Sequence, residues 1–204
     1  TLQPLSGLDG GTLPNKEMSD AEGLAILAGG DRLVSFERQA RIWLYPAAGG
    51  PPRAVSAPEA DFPLNGGLEA LAADPERGPD AYVAGGEESG QTWLCRLATP
   101  CVAGPTVDKA PEFGLVAMRR LPGDQSAYLL RAWDPLRGNR IVLSVTGASG
   151  ELARLEMARP LTVDNFEGLD FVPRPEGGYR VYILSDDNFS ANQRTLLMAF
   201  DWTP

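Results

Sequence analysis

The 204-residue chain contains no histidine, only two lysines and only two cysteines, and each scarcity removes a class of chemistry. Without imidazole there is no Ser-His-Asp or Cys-His nucleophilic site, no histidine general base and no zinc site that needs nitrogen ligands. Catalysis in such a chain falls to carboxylates, arginine, tyrosine, lysine or a hard metal ion. The positive charge comes almost entirely from 16 arginines, whose planar forks match carboxylate or phosphate. A net charge of −9 with no cluster of Lys and Arg argues against nucleic acid as a partner. Long apolar runs are missing as well: Tyr179 to Leu184 is far shorter than a membrane span, and no leader of charged, apolar and small residues is present. Any export signal is therefore expected to be absent from this chain or already removed.

What is present fits a β protein. The chain is 43% apolar with 23 Gly and 18 Pro, enough for a core and enough turn formers to keep its elements short. Its length fits one domain, or at most two small ones. Cys95 and Cys101 lie six apart in TWLCRLATPCVAG, where a turn around Thr99-Pro100 folds one strand back on the next. A hairpin disulfide suited to an oxidising compartment and a pair of buried reduced thiols both fit that spacing.

A repeat organises the chain. EGLAILAGG from Glu22, EALAADPERG from Glu69, VAMRRLPGD from Val116 and EGLDFVPRPEGG from Glu167 align at spacings of 47, 47 and 51. Each is followed by a second apolar strand at 32–37, 81–87, 127–134 and 179–187, and by a third at 41–46, 92–97, 140–145 and 194–200. Outer fourth strands fit Arg53 to Ala57 and Leu152 to Met157, whereas the last unit shows three. Short strands rich in Val, Leu, Ile and Tyr, with no sustained helical period, predict an all-β β-propeller of four-stranded antiparallel blades. The blades are expected near 20–60, 65–108, 112–160 and 164–204 as a single domain. Because the opening TLQPLSGLDGGTLPNK reads as the end of something, N-terminal blades are expected to be missing from a propeller of about six. A true four-bladed ring, or an open array completed by a partner chain, are the alternatives.

SDAEGLAILAGGDRLVSFERQARIWLY at 19–45, NGGLEALAADP at 65–75 and DNFEGLDFVPRPEGGYRVYILSDDNFSANQRTLLMAF at 164–200 resemble the bacterial phytase-like family, described as having esterase-like activity of phytase. The resemblance implies an exported propeller, periplasmic or secreted. By analogy with calcium-dependent propeller phytases it implies calcium and a small phosphate ester as substrate.

The residues themselves point to one end of the blades. Inner strands starting at Glu22, Glu69, Val116 and Glu167 would place these side chains at one height, and the second strands would return Glu37 and Arg38, Glu87 and Glu88, Arg131 and Asp134, and Asp186, Asp187 and Asn188 to the same rim. Converging carboxylates repel by about 1 to 4 kcal/mol per pair at about 4 Å. Arginine partners, raised carboxyl pKa values or a bound hard cation must offset that. The expected cation ligands are Asp164, Glu167, Asp186, Asp187 and Asn188, the densest group of oxygen-bearing side chains. The expected catalytic groups are Glu22 and Glu69 as carboxylates and Arg38, Arg131 and Arg194 as phosphate holders. Competing with this, the repeated Glu would tie neighbouring blades by accepting backbone N–H bonds, and SDDNFSANQR would be a turn whose Asp and Asn cap their own backbone. The function expected is a calcium-dependent phosphoric ester hydrolase. A non-catalytic ligand- or protein-binding propeller and a metal-dependent lactonase or esterase are the alternatives. The expected partners are the missing blades or another chain.

Overall fold

A computed structural model of the chain describes residues 4–63 and 66–204. Residues 64 and 65, where the NGGLEALAADP segment and the second expected blade begin, lie outside the described residues, as do the first three. Among the described residues, helix is confined to α1 (Lys16–Ser19) and a 3-10 turn at Pro75–Arg77. Everything else with regular structure is strand, arranged as four antiparallel β-propeller blades in which each strand pairs with the next in sequence.

The chain divides into two compact units, residues 1–108 and 109–204. The first unit holds blade 1, with β1 (Ala21–Ile26), β2 (Arg32–Phe36), β3 (Arg41–Tyr45) and β4 (Arg53–Val55), and blade 2, with β5 (Leu68–Ala73), β6 (Ala81–Gly86), β7 (Gln91–Arg96) and β8 (Thr99–Thr106). The two blades share a core in which Ala25, Leu27, Leu33, Ile42 and Leu44 meet Leu68, Leu71, Tyr82, Ala84 and Cys95. Strand β2 shows no inside-outside alternation, because four of its five residues are buried. Both of its faces are covered: Leu33 faces the shared core, while Val34 and Phe36 pack with Trp43 under Leu5 and Leu13. A strand covered on both sides reads as a continuous apolar run.

The second unit holds blade 3, with β9 (Gly114–Leu121), β10 (Gln125–Asp134), β11 (Gly138–Gly147) and β12 (Gly150–Met157), and blade 4, with β13 (Phe166–Pro173), β14 (Tyr179–Ser185) and β15 (Leu197–Trp202). Its core joins Ala127, Leu129, Ile141, Leu143 and Val145 to Phe166, Phe171, Val181 and Ile183. Phe171 also meets Tyr179 and Trp202 edge-on, at 5.9 and 6.0 Å between ring centroids. The third strand of blade 4 starts at Leu197 rather than at Arg194. The residues before it are tied to the end of β14, where the Ser185 hydroxyl donates to the Arg194 carbonyl at 2.6 Å and accepts from the Leu196 amide at 2.8 Å. Blade 4 has three strands, as the spacing predicts.

Cys95 on β7 and Cys101 on β8 form a disulfide, so of the two states compatible with their spacing the hairpin bridge is the one present. A bridge closing so short a loop is worth about 2 kcal/mol in chain-entropy terms. Reduction is therefore expected to lower the unfolding free energy by about 2 kcal/mol in urea titrations. Thiol titration of unreduced, denatured protein should detect no free thiol, and two reactive thiols would contradict the bridge.

Candidate functional site

The inner strand of every blade contains one residue more than its partner can match, at the same place. In β1, Ala21 pairs with Phe36 and Leu24 with Val34, so Glu22 and Gly23 face one residue. In β5 the extra residue is Glu69, in β9 Val116, and in β13 Glu167. Such a bulge bends the strand and re-aims a side chain. The four residues that open the sequence repeat are thus the bulge residues of the fold. The glycine after Glu22 has a separate cause: a Cβ on Gly23 would lie 2.5 Å from the Glu69 carbonyl oxygen and 2.6 Å from the Ser35 hydroxyl. Only a bare backbone lets β1 approach β5 so closely.

The second strands, or the residue just beyond them, face the inner strands ahead of the bulge in a matching register. The Glu37 amide donates to the Asp20 carbonyl at 3.1 Å, Glu87 to Gly67 at 3.0 Å and Asp186 to Asn165 at 3.0 Å, while Arg131 pairs with Gly114. Glu37, Glu87, Arg131 and Asp186 therefore hold the same position in their blades.

In the first unit this register gathers carboxylates. Asp20, Glu22 and Glu37 have carboxylate oxygens within 4.8 Å of one another, and so do Glu37, Glu69 and Glu87. Glu37 belongs to both groups. Glu69 is nine-tenths buried, Glu22 is exposed, and the other three are half-buried. Two like charges no farther apart than 4.8 Å repel by at least about 1 kcal/mol in a water-like medium and by at least about 3.5 kcal/mol at an effective dielectric of 20. Burial raises the Glu37 carboxyl above its ordinary value, Asp20 and Glu87 raise it further, and Arg38 and Lys16 oppose the rise. The opposing cations are at hand: Arg38 Nε donates to Asp20 Oδ2 at 2.9 Å, and Lys16 Nζ lies 3.8 Å from Oδ1.

The second unit answers the same register differently. Arg131 lies 3.2 Å from Glu167 Oε1, and the side-chain Nδ2 of Asn165 donates to that oxygen at 2.8 Å. Asp164 accepts from the Asn165 amide nitrogen at 3.0 Å and pairs with Arg194 Nε at 3.2 Å. Asp186 accepts from the Asn188 backbone at 3.1 Å, and Asp187 accepts from the Phe189 backbone and the Thr195 hydroxyl, each at 2.9 Å. These bonds hold Asn188 and Phe189 in the left-handed region, at φ 49° and 53°. Among the described residues no three carboxylates converge in this unit. Arg119, beside the bulge of blade 3, pairs with Asp170 at 3.0 Å, and Arg120 is bonded to Ser126 and Asp124.

Of the residues singled out from sequence, the structure brings Glu22 and Glu69 into two acidic groups that share Glu37, and it sets Arg38 on Asp20 at the edge of the first. It places Arg131 and Arg194 on Glu167 and Asp164. The acidic groups also contain Asp20, Glu37 and Glu87. Asp20 was detectable as an acid two residues ahead of the repeated Glu, and Glu37 and Glu87 as acids directly after an apolar strand. A cavity of about 500 Å3 elsewhere in the first unit is lined by Asp74, Arg77, Tyr82, Cys95 and Arg96, and none of the five carboxylates lines it.

The family model described as Phytase-like, esterase-like activity of phytase, matches residues 1–189. The chain belongs to this family. A search of curated protein sequences returns no match. Among solved structures, the phytase-like chain is similar to the PQQ-bound aldose sugar dehydrogenase of Streptomyces coelicolor, at 18% identity and a TM-score of 0.53 over 99% of its length. At that identity the likeness concerns the fold. The match spans 63% of the dehydrogenase chain. Fainter likenesses link it to a Lactobacillus plantarum protein, with 14% identity, 87% and 55% coverage and a TM-score of 0.46, and to a Bacteroides caccae protein of unknown function, with 9%, 89% and 77%, and 0.45.

The raised Glu37 carboxyl makes the folded state bind a proton more tightly than the unfolded chain, so stability falls as pH rises from the ordinary glutamate range, about 4.3, through the raised folded value. Glu37→Gln removes that loss. In chelator-treated protein its melting temperature is expected to exceed that of wild type at neutral pH and to converge with it below about pH 4. A difference independent of pH would contradict the cause given for the shift.

Proposed function

We propose that this phytase-like chain is part of a calcium-dependent hydrolase of phosphoric esters whose cation sits among Asp20, Glu22, Glu37, Glu69 and Glu87. The observation that carries the proposal is the pair of carboxylate groups meeting at Glu37. Oxygens on opposite sides of a calcium ion, each bound at about 2.3 to 2.6 Å, lie about 4.6 to 5.2 Å apart. Each of the two groups that share Glu37 keeps its carboxylate oxygens within 4.8 Å of one another, so either fits one coordination shell. The donors are all hard oxygens, which suit calcium and lack the nitrogen and sulfur of zinc sites. When bound, the cation supplies Lewis acidity toward a phosphoryl oxygen.

The chain's own groups divide the remaining work. Glu37, the carboxylate shared by both groups, takes the proton of the attacking water as the P–O bond to the alcohol breaks and the leaving oxygen is protonated from solvent. Arg38, two-fifths exposed on its side chain and held by Asp20, offers its remaining donors to the phosphate, a task its fork geometry suits. Exposed Glu22 faces solvent beside them, and buried Glu69 fixes the floor of the site. Arg131, Arg194, Asp164, Glu167, Asp186, Asp187 and Asn188 are assigned to holding the start of blade 4 and its loop.

The disulfide supports an oxidising location, periplasmic or secreted, and no helix among the described residues is long and apolar enough to cross a membrane. Calorimetric titration of chelator-treated protein with calcium is expected to show binding that Glu69→Gln weakens at least tenfold, about 1.4 kcal/mol, while Glu167→Gln leaves it unchanged. Phosphate release from small aryl phosphates should require calcium and stop with chelator. Calcium binding without turnover of any ester would make this a binding propeller, and turnover of acyl esters or lactones alone would move the activity to that class.

A further inference from the structure

Asp20 is the one carboxylate of the five that precedes the first blade strand, and it follows α1 directly. Four residues are too few for a helix to hold itself in water, and α1 buries none of its residues. Its position therefore depends on bonds from elsewhere. Asn15 caps it by accepting from the Met18 amide at 2.9 Å. From the β2–β3 hairpin, Gln39 donates to Glu17 at 3.4 Å, and Arg41 donates to the Met18 carbonyl. The Arg41 guanidinium cannot swing freely: it lies 4.1 Å from the centre of the Phe36 ring and 4.7 Å from that of Trp43, and its other terminal nitrogen donates to the Gln39 carbonyl at 3.1 Å. Stacking on aromatic faces fixes the plane of the fork and so the direction of its donors. Just beyond the helix, the Asp20 carbonyl accepts from the Glu37 amide at 3.1 Å, which brings the two acids side by side.

We propose that Arg41 is a positioning residue that clamps the strap of residues 15–20 through the Met18 carbonyl and thereby delivers Asp20 to the group it forms with Glu22 and Glu37. The inference rests on the reading of that group as a cation seat, and it adds a residue that touches neither cation nor substrate. It also couples two equilibria: whatever loosens the strap weakens the cation, and the bound cation tightens the strap.

Two measurements on the intact chain test it. Hydrogen exchange of metal-free Arg41→Met, which keeps the apolar stem and removes the donors, is expected to be at least tenfold faster at the Met18, Ser19 and Glu37 amides and unchanged at Ala72 and Val83 in blade 2. Calcium titration is expected to show that Arg41→Met and Asp20→Asn weaken binding by similar factors, and that the double variant binds no more weakly than Asp20→Asn alone. A purely structural defect would instead add to the loss of Asp20. Asn15→Ala, which removes the cap at an exposed position, should give the same non-additive pattern and serves if Arg41→Met is too unstable to use. Unchanged exchange at the strap overturns the clamp, and additive losses overturn the delivery of Asp20. A wild type without calcium affinity overturns the cation seat and the delivery together, while the exchange result still decides the clamp.

Discussion

A single extra residue in each inner strand breaks the ladder with the second strand and turns a side chain out of the pleat. Because the bulge recurs at the same place, Glu22, Glu69, Val116 and Glu167 take the same part in their blades. The next consequence is register. With the inner strand displaced by one residue, the residue two places ahead of each bulge comes to face the same position of the second strand or its extension, occupied by Glu37, Glu87, Arg131 and Asp186. The identity of the residue at that position then decides the local electrostatics. Glu37 and Glu87 bring negative charge to the bulges of the first unit, and Arg131 brings positive charge to that of the second.

This difference separates two otherwise similar blade pairs. In the second unit the bulge carboxylate of Glu167 is met by a guanidinium and an amide, so its charge is satisfied by the protein itself. In the first unit the bulge carboxylates meet more carboxylates, and burial first and the charges of Asp20 and Glu87 second raise the proton affinity of Glu37. A fold that keeps like charges together gives up stability in doing so, and perturbed acids of this kind concentrate at functional sites. Arg38 and Lys16 relieve Asp20 at the edge of the first group.

The spacing of apolar strands and turns carried the fold: the four repeat starts at 22, 69, 116 and 167 fall within two residues of the observed inner-strand starts because Gly, Pro and Asp mark most of the turns between strands. The edges were less legible. Strand β8 runs through Thr99-Pro100, which reads as a turn by composition, and β15 starts three residues late because Ser185 recruits the backbone before it. Within the site, the Glu residues were visible as a repeated motif, but the bulge that aims them leaves no composition of its own. The density of acids in SDDNFSANQR drew attention to blade 4, where those side chains cap a left-handed turn. Asp and Asn serve both purposes with the same atoms, so counting them could not separate a turn from a ligand set. The clash that a Cβ on Gly23 would make was likewise invisible until β5 was in place beside it.

We place the proposed cation at the bulge register of the first unit and not at the acid-rich loop of the second. Diffraction from crystals grown with calcium, using the anomalous signal of the ion, tests it most directly. The account predicts a peak bounded by Glu37 and at least two of Asp20, Glu22, Glu69 and Glu87, with carboxylate oxygens at about 2.3 to 2.6 Å. A peak among Asp164, Glu167 and Asp186 with none at Glu37 would contradict it.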